Sequence, residues 1–191
     1  MTCRCIESVI RCTKSIKYEI ILVDNASTEC DSELFKNKFP QIKLVKNLDN
    51  NGFAKGNNLR IKYAEGDAIL LLNSDTYFVE GVMDNIGAAY SALINLSQND
   101  SVGVLTIRQL YPDGKFQHNA RRFKSISWEL LDLFRFIPYV MNKSKRVRMM
   151  LGKYFDGGEN LDCDWVSGAF FMFLRRIIDE LPDRKIGRAH V

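Results

Sequence analysis

Residues 68–76 read Ala-Ile-Leu-Leu-Leu-Asn-Ser-Asp-Thr, an apolar run that ends on an amide and a carboxylate. Such a run reads as a strand buried on both faces, as in a parallel sheet. Ligands of open α/β sheets bind beyond the carboxyl ends of the strands, and a carboxylate there is costly to bury unpaired. Two readings of Asp75 stand at this point: a metal or phosphate ligand, or a residue that closes a strand–helix turn. Two other polar loops follow apolar strands in the same way, Asp24-Asn25 and Asn50-Asn51-Gly52. Asp24 suits hydrogen bonds to a nucleobase or ribose. Gly52 and the amides of Asn57 and Asn58, near a helix start, suit close approach to phosphate or base. Asp75 suits a divalent cation that bridges a diphosphate. Turn-building accounts for any one of these loops, and three on one rim favour the ligand reading.

The elements that must position these loops alternate in type. Ile6, Val9 and Ile10 at helical spacing predict a helix over residues 5–15, and Tyr18–Val23 is a β-branched strand. Asp31–Phe39 reads as a helix ended by Pro40, Ile42–Lys46 as a strand, and residues 47–52 as a polar turn. Ala54–Glu65 reads as a helix closed by Gly66. After the strand at 68–72 come a helix at about 80–95 and a strand at Val102–Ile107. This order predicts an α/β sandwich with a mainly parallel sheet and right-handed connections. No repeat and no clear domain boundary is visible, and residues 108–160 are the least regular.

The 191 residues suffice for one domain with a full core. The five cysteines, Cys3, Cys5, Cys12, Cys30 and Cys163, are odd in number and match no disulfide framework or Cys/His metal site, so they read as reduced structural thiols. No stretch reaches the roughly 18 apolar residues of a membrane span. The start, Met1-Thr-Cys-Arg-Cys-Ile-Glu, lacks the apolar region of a signal peptide. These features place the protein in the cytoplasm. The net charge of +4 is mild, but residues 121–153 hold far more basic than acidic residues, with Trp128, Leu130, Leu131, Phe134, Phe136 and Ile137 nearby. That mixture reads either as an interfacial element near anionic lipid or as a helical insertion with a solvated basic face.

The strings ILVDNAST (21–28), NNGFAKGNN (50–58) and ILLLNSDT (69–76), in this order, resemble the family 2 glycosyltransferases of the GT-A fold, most closely a bacterial rhamnosyltransferase-like branch. YPDGKFQHNARRF (111–123) and DWVSGAFFMFLRR (164–176) agree, and the resemblance covers roughly residues 5–184. It implies a three-layer sandwich around a mainly parallel central sheet. It implies donor-nucleotide contacts at Asp24, Asn25, Gly52, Phe53, Asn57, Asn58, Asn73 and Asp75. The family's Asp-X-Asp motif, which binds Mg²⁺ or Mn²⁺ on the donor diphosphate, corresponds to Asn73-Ser74-Asp75. Its first Asp is replaced by Asn, which leaves Asp75 as the metal ligand. Asp164, Trp165, Ser167 and Gly168 correspond to the donor-sugar and acceptor pocket, with Gly168 permitting close backbone approach. Ala169–Phe173 reads as core strand. Arg121 and Arg122 read as a solvated pair more readily than as phosphate ligands, and His118 is given no role.

The same resemblance makes the domain at residues 1–184 incomplete, with residues 121–160 as a basic, aromatic insertion. The family's first strand would precede Met1, and the acidic motif that supplies the general base would follow Arg184. Asp179, Glu180 and Asp183 lie too early to be that base, so the catalytic base is expected to be absent from the chain. Residues 185–191, Lys-Ile-Gly-Arg-Ala-His-Val, match an in-frame translation of a common sequencing adapter and read as a non-native tail. The activity implied is inverting, metal-dependent transfer of a sugar from dTDP-rhamnose or a UDP-sugar to a saccharide or lipid-linked acceptor, in surface polysaccharide synthesis. Peripheral contact with the inner membrane face through residues 121–153 fits such an acceptor. A non-catalytic basic module that binds anionic membrane or nucleic acid is the alternative, but it leaves the strand-end carboxylates unexplained.

Overall fold

Apolar side chains one turn apart on the first helix bury against the segment that precedes the second strand. Ile6 forms a buried cluster with Phe39 and Ile42, flanked by Cys3, Ile10, Ile20, Leu22 and Phe35. The computed structural model describes residues 1–50, 57–58, 61–79, 84–98, 102–123, 126–134, 142–151 and 155–181. The chain divides into two compact units, Met1–Leu105 with Met172–Val191, and Thr106–Phe171. The first unit carries α1 (Thr2–Cys12), β1 (Ile21–Asn25), α2 (Glu33–Lys38), β2 (Lys43–Asn47), β3 (Ala68–Leu72) and α3 (Asn85–Ser97). The second carries β4 (Gln109–Leu110), β5 (Phe116–Gln117), β6 (Ala120–Arg121), α4 (Ile126–Leu133), α5 (Lys143–Met150) and β7 (Trp165–Val166). β8 (Phe170–Leu174) begins in the second unit and ends in the first, where α6 (Arg175–Glu180) follows it. The tail at 185–191 lies outside the described residues.

In the first unit β1 and β2 pair in parallel, with Asp24 opposite Lys46 and Asn25 opposite Asn47. A parallel pair requires a crossover, which α2 supplies. The strand includes Asp24 and Asn25 because their ladder with Lys46 and Asn47 outlasts the apolar run that ends at Val23. β3 occupies the expected residues and pairs with β8. Ile69 is buried, but the rest of β3 is half-buried, less deeply than the all-apolar sequence suggests, and among the described residues β8 is its one ladder partner. β8 supplies the deeply buried residues Met172, Phe173 and Leu174 to this unit. Arg175, directly after β8, fixes the approach to β3. Its backbone N–H donates to the Asp67 carbonyl at 2.8 Å, its Nε to the Gly66 carbonyl at 2.9 Å, and its guanidinium also reaches the Ala64 carbonyl.

Among the described residues, the strands of this α/β fold are laddered in separate pairs. β1–β2 is parallel, β4–β5 and β6–β7 are short antiparallel ribbons, and no ladder joins β1 to β3 among the described residues. The strand expected at Val102–Ile107 does not form. Its ladder is reduced to one antiparallel bridge in the first unit, in which Leu105 and Met172 exchange hydrogen bonds of 2.8 and 3.0 Å. In the second unit side chains take the carbonyls a ladder would use. The Asn119 amide donates to the Ile107 carbonyl at 2.7 Å, and the Thr106 hydroxyl donates to the Phe170 carbonyl at 2.8 Å. β4 and β5 form a hairpin turned at Gly114, whose φ of +82° suits glycine.

α3 begins later than the expected residue 80 because Asp84, at φ +34°, is its N-cap and accepts the Gly87 N–H at 2.9 Å. The same carboxylate accepts the Ser15 N–H at 2.7 Å, which ties the loop after α1 to the start of α3. A Cβ on Gly87 would meet Ser15 Oγ and lie 2.7 Å from both Asp84 carboxylate oxygens. A helical Gly→Ala change ordinarily stabilises by about 1 kcal/mol. Here Gly87→Ala is expected to lower the urea midpoint instead, because the new methyl displaces the capping carboxylate.

Candidate functional site

The carboxyl ends of β1 and β2 lie side by side and carry a set of linked amides. Asn25 Nδ2 donates to Asn50 Oδ1 at 2.6 Å, and Asn47 Nδ2 donates to Asn25 Oδ1 at 2.9 Å. Asn25 was expected here. Asn47 was not singled out, although it follows the second apolar run as Asp24 follows the first. Asp24 is partly occupied by its own turn. The Ser32 hydroxyl beside it and the Ser27 N–H, which donates to Oδ1 at 2.8 Å, hold its carboxyl below the ordinary carboxylate range. Ala26, immediately after the amide set, has φ +59°, a left-handed conformation that costs an L-residue about 1–2 kcal/mol.

The carboxyl end of β3 is a turn closed by the Thr76 N–H, which donates to the Asn73 carbonyl at 3.1 Å. Asp75 is exposed on this turn, and its carboxylate makes no hydrogen bond or ion pair among the described residues. The Asn73 carbonyl also accepts the Cys5 thiol at 3.6 Å. Burial, and then the Asp75 charge, push the Cys5 thiol up to about 11, so it remains a donor at neutral pH. No hydrogen bond or ion pair among the described residues joins the Asp24–Asn25 group to the Asn73–Asp75 group.

A divalent cation is tested at Asp75 by donor chemistry. No cluster of three or more His, Cys, Asp or Glu exists among the described residues. Mg²⁺ at diphosphate sites takes one or two carboxylates, with substrate phosphates and water completing its shell. One exposed carboxylate without a cationic partner among the described residues fits that pattern, and Asn73, two residues earlier, carries a neutral amide oxygen.

Asn57 and Asn58 have helical backbone. Asn57 Nδ2 is shielded from solvent and has no hydrogen-bond partner among the described residues. Gly52 and Phe53 lie outside the described residues.

The second unit holds its own cluster on the β6–β7 ribbon, where Arg121 stands opposite Trp165. Asp164 accepts the Phe123 N–H at 2.7 Å on one oxygen and the Arg122 guanidinium at 3.0 Å on the other. Those two contacts, the backbone one foremost, hold its carboxyl below the ordinary range. The Arg121 guanidinium lies 5.6 Å from the centroid of the half-exposed Trp165 ring. The two arginines are therefore engaged on this ribbon rather than forming a free solvated pair. Ser167 donates its N–H to the Asn119 carbonyl at 2.8 Å, while its Oγ is shielded and without a partner among the described residues. Gly168 and Ala169 form the turn into β8.

α4 presents an apolar face that the sequence marked only by composition. Ile126, Leu130, Leu133 and Phe134 recur at helical spacing and are exposed, Ile126 by 83% and Leu133 by 73%. Basic residues of the same unit, Arg121, Lys143 and Lys145, are exposed as well. No helix among the described residues is long and apolar enough to cross a membrane.

The family model described as "Glycosyl transferase family 2" matches residues 1–181. The uncharacterized protein y4gI of Sinorhizobium fredii is 27% identical over 117 residues, covering 59% of this chain and 12% of that protein. The O-antigen biosynthesis protein RfbC of Myxococcus xanthus is 27% identical over 115 residues, covering 59% of this chain and 8% of that protein. The chain thus spans a small fraction of the length of these relatives. The crystal structure of Staphylococcus aureus TarS, residues 1–349, superposes with a TM-score of 0.44 at 20% identity, covering 64% of this chain and 37% of that one.

Asp24 and Asp164 have depressed carboxyl pKa values in the folded chain. Their stabilising effect is complete above the unfolded Asp value of about 3.9 and is lost as pH falls through the lower folded value. Urea midpoints measured against pH are expected to hold steady down to about pH 5 and then decline. Asp164→Asn is expected to lower the neutral-pH midpoint and to flatten the acid limb.

Proposed function

This chain belongs to glycosyl transferase family 2, and from that premise we propose that it binds a nucleotide-diphospho-sugar at the strand ends of its first unit and serves sugar transfer to a saccharide or lipid-linked acceptor. The observation that carries the reading is Asp75, an exposed carboxylate without hydrogen-bond or ion-pair partner among the described residues, set on a turn at the end of β3. Asp75, with the Asn73 amide, would hold Mg²⁺ or Mn²⁺. A divalent cation held there supplies Lewis-acid stabilisation to a departing diphosphate.

The protein's own groups supply recognition. The linked amides of Asn25, Asn47 and Asn50 present donors and acceptors of the kind a nucleobase or ribose pairs with. Asn57 Nδ2 is a shielded donor that a phosphate or base oxygen would satisfy. For Asp24 the reading is narrower: its carboxylate fixes the turn that displays Asn25. In the second unit, Trp165 offers an aromatic face and Ser167 a hydroxyl without a partner among the described residues, both suited to sugar recognition, and Asp164 braces the ribbon that carries them. Gly168, in the turn after Ser167, keeps that approach free of a side chain.

The reaction proposed, which the resemblance implies, is a single displacement with inversion. The acceptor hydroxyl oxygen bonds to the anomeric carbon, the bond from that carbon to the diphosphate breaks, and the hydroxyl proton passes to a base. The donor readings are dTDP-rhamnose, by the branch resemblance, and UDP-sugars. The Myxococcus relative is named for O-antigen biosynthesis, which supports a role in surface polysaccharide assembly. A lipid-linked acceptor also accords with the apolar face of α4 and the basic residues of its unit, which would seat on anionic lipid as a peripheral contact.

Titration of the chain with UDP and with dTDP, each with and without Mg²⁺, tests the donor reading. Mg²⁺ is expected to tighten binding of at least one of them, and Asp75→Ala to reduce that affinity to the metal-free level. Equal affinities with and without Mg²⁺ for both nucleotides would overturn it. Vesicle flotation tests the membrane contact. The chain is expected to float with phosphatidylglycerol vesicles and not with phosphatidylcholine, and Leu133→Asp with Phe134→Asp to abolish flotation. Absence of flotation, or equal flotation with both lipids, removes the contact.

A further inference from the structure

Asp75 is exposed and unpaired among the described residues, so the placement of its carboxylate depends on what holds the segment that leaves β3. Residues 73–78 are not paired in a ladder, and backbone groups outside a ladder need other partners. α1 provides them from one face. The Ser8 hydroxyl accepts the Phe78 N–H at 3.1 Å and donates to the Cys5 carbonyl at 2.8 Å. The Cys5 thiol donates to the Asn73 carbonyl. The Arg11 guanidinium donates to the Phe78 carbonyl at 3.3 Å, and that of Arg4 lies 3.7 Å over the Tyr77 ring. Positions 4, 5, 8 and 11 follow helical spacing, so four side chains of one helix grip one short segment on both sides of its turn. A different part of α1, at Ile6, is anchored in the core cluster with Phe39 and Ile42, which makes the helix a firm backing.

We propose that Ser8 and Cys5 are positioning residues for Asp75, holding the turn that carries it at the geometry a metal–diphosphate complex requires. The proposal rests on the donor reading of Asp75 given above. Ser8 is 2% exposed, and a serine inside a helix gains little there by propensity. Its hydroxyl is used twice, and the Phe78 N–H it satisfies lies 70 residues away in sequence. Removing the hydroxyl leaves that N–H without its acceptor and frees the segment just beyond the turn. Removing the Cys5 thiol frees the Asn73 carbonyl, which also closes the turn itself. Neither residue reaches solvent in a way that would let it touch a ligand, so both act through Asp75.

The experiment is the UDP dissociation constant of the chain with and without Mg²⁺, measured for the wild type, Ser8→Ala, Cys5→Ala, Cys5→Ser and Asp75→Ala, each with its Tm. Losing such a supporting contact is expected to weaken Mg²⁺-dependent UDP binding by about tenfold or more in Ser8→Ala. Metal-free binding should stay unchanged. Cys5→Ala should show a smaller loss in the same component, and Cys5→Ser, which keeps a donor, should recover it. If Ser8→Ala does not fold, the Cys5→Ala and Cys5→Ser pair decides alone. Full retention of the Mg²⁺ effect in the Ser8 and Cys5 variants, or equal weakening with and without Mg²⁺, overturns the proposal while leaving the donor reading intact. Retention of the Mg²⁺ effect in Asp75→Ala overturns the donor reading, and this proposal with it.

Discussion

A strand of five residues with one described ladder partner has to be fastened at its ends, and the placement of β3 depends on how that is done. At its start, Arg175 gathers the carbonyls of Ala64, Gly66 and Asp67. A guanidinium suits the task because its donors diverge in a fixed plane and reach several acceptors at once. At its end, α1 takes the Asn73 carbonyl and both backbone groups of Phe78. The apolar run between the two fastenings supplies burial but not position. Position comes from polar contacts at either end, and those contacts determine where the Asp75 carboxylate stands.

The same division of labour recurs elsewhere. Asp84 joins the loop after α1 to the first turn of α3, Asp164 joins Phe123 and Arg122 to the β6–β7 ribbon, and Asn119 takes over a carbonyl at Ile107 where no ladder forms. In each case a short polar side chain satisfies backbone groups that regular structure leaves open. Buried groups paired in this way cost little, whereas unpaired ones are expensive. Among the described residues several shielded atoms break the pattern, Thr13 Oγ1, Asn57 Nδ2, Gln109 Nε2 and Ser167 Oγ among them, and of these Asn57 and Ser167 belong to segments that the resemblance assigns to substrate.

How much could be read from the sequence depended on how local the cause was. β3 was legible to the residue because an apolar run bounded by Gly66-Asp67 and Asn73 is a local signal. The amide at Asn25 and the turn at Asp75 were legible for the same reason. The core strand at Phe170 was also legible, from Phe-Phe-Met-Phe-Leu alone. The strand expected at Val102–Ile107 was not forestalled by anything nearby, since it is replaced by bonds from Thr106 to Phe170 and from Asn119 to Ile107. The structural commitment of Asp164 depends on partners more than 40 residues earlier in the chain. The roles of Ser8, Cys5 and Arg175 were invisible for the same reason, because their partners are brought near only by folding. The late start of α3 follows from a left-handed Asp84, which a helical pattern around residue 80 does not reveal.

The fastenings of β3 have a chemical character that bears on ligation. The Ser8 hydroxyl does not ionise, and burial pushes the Cys5 thiol up to about 11. Both therefore meet the backbone on either side of Asp75 as uncharged groups. They hold the turn without adding a charge that would compete for a cation. Fastening and ligation then fall to different groups, which separates the chemistry of the turn from the mechanics of the fold.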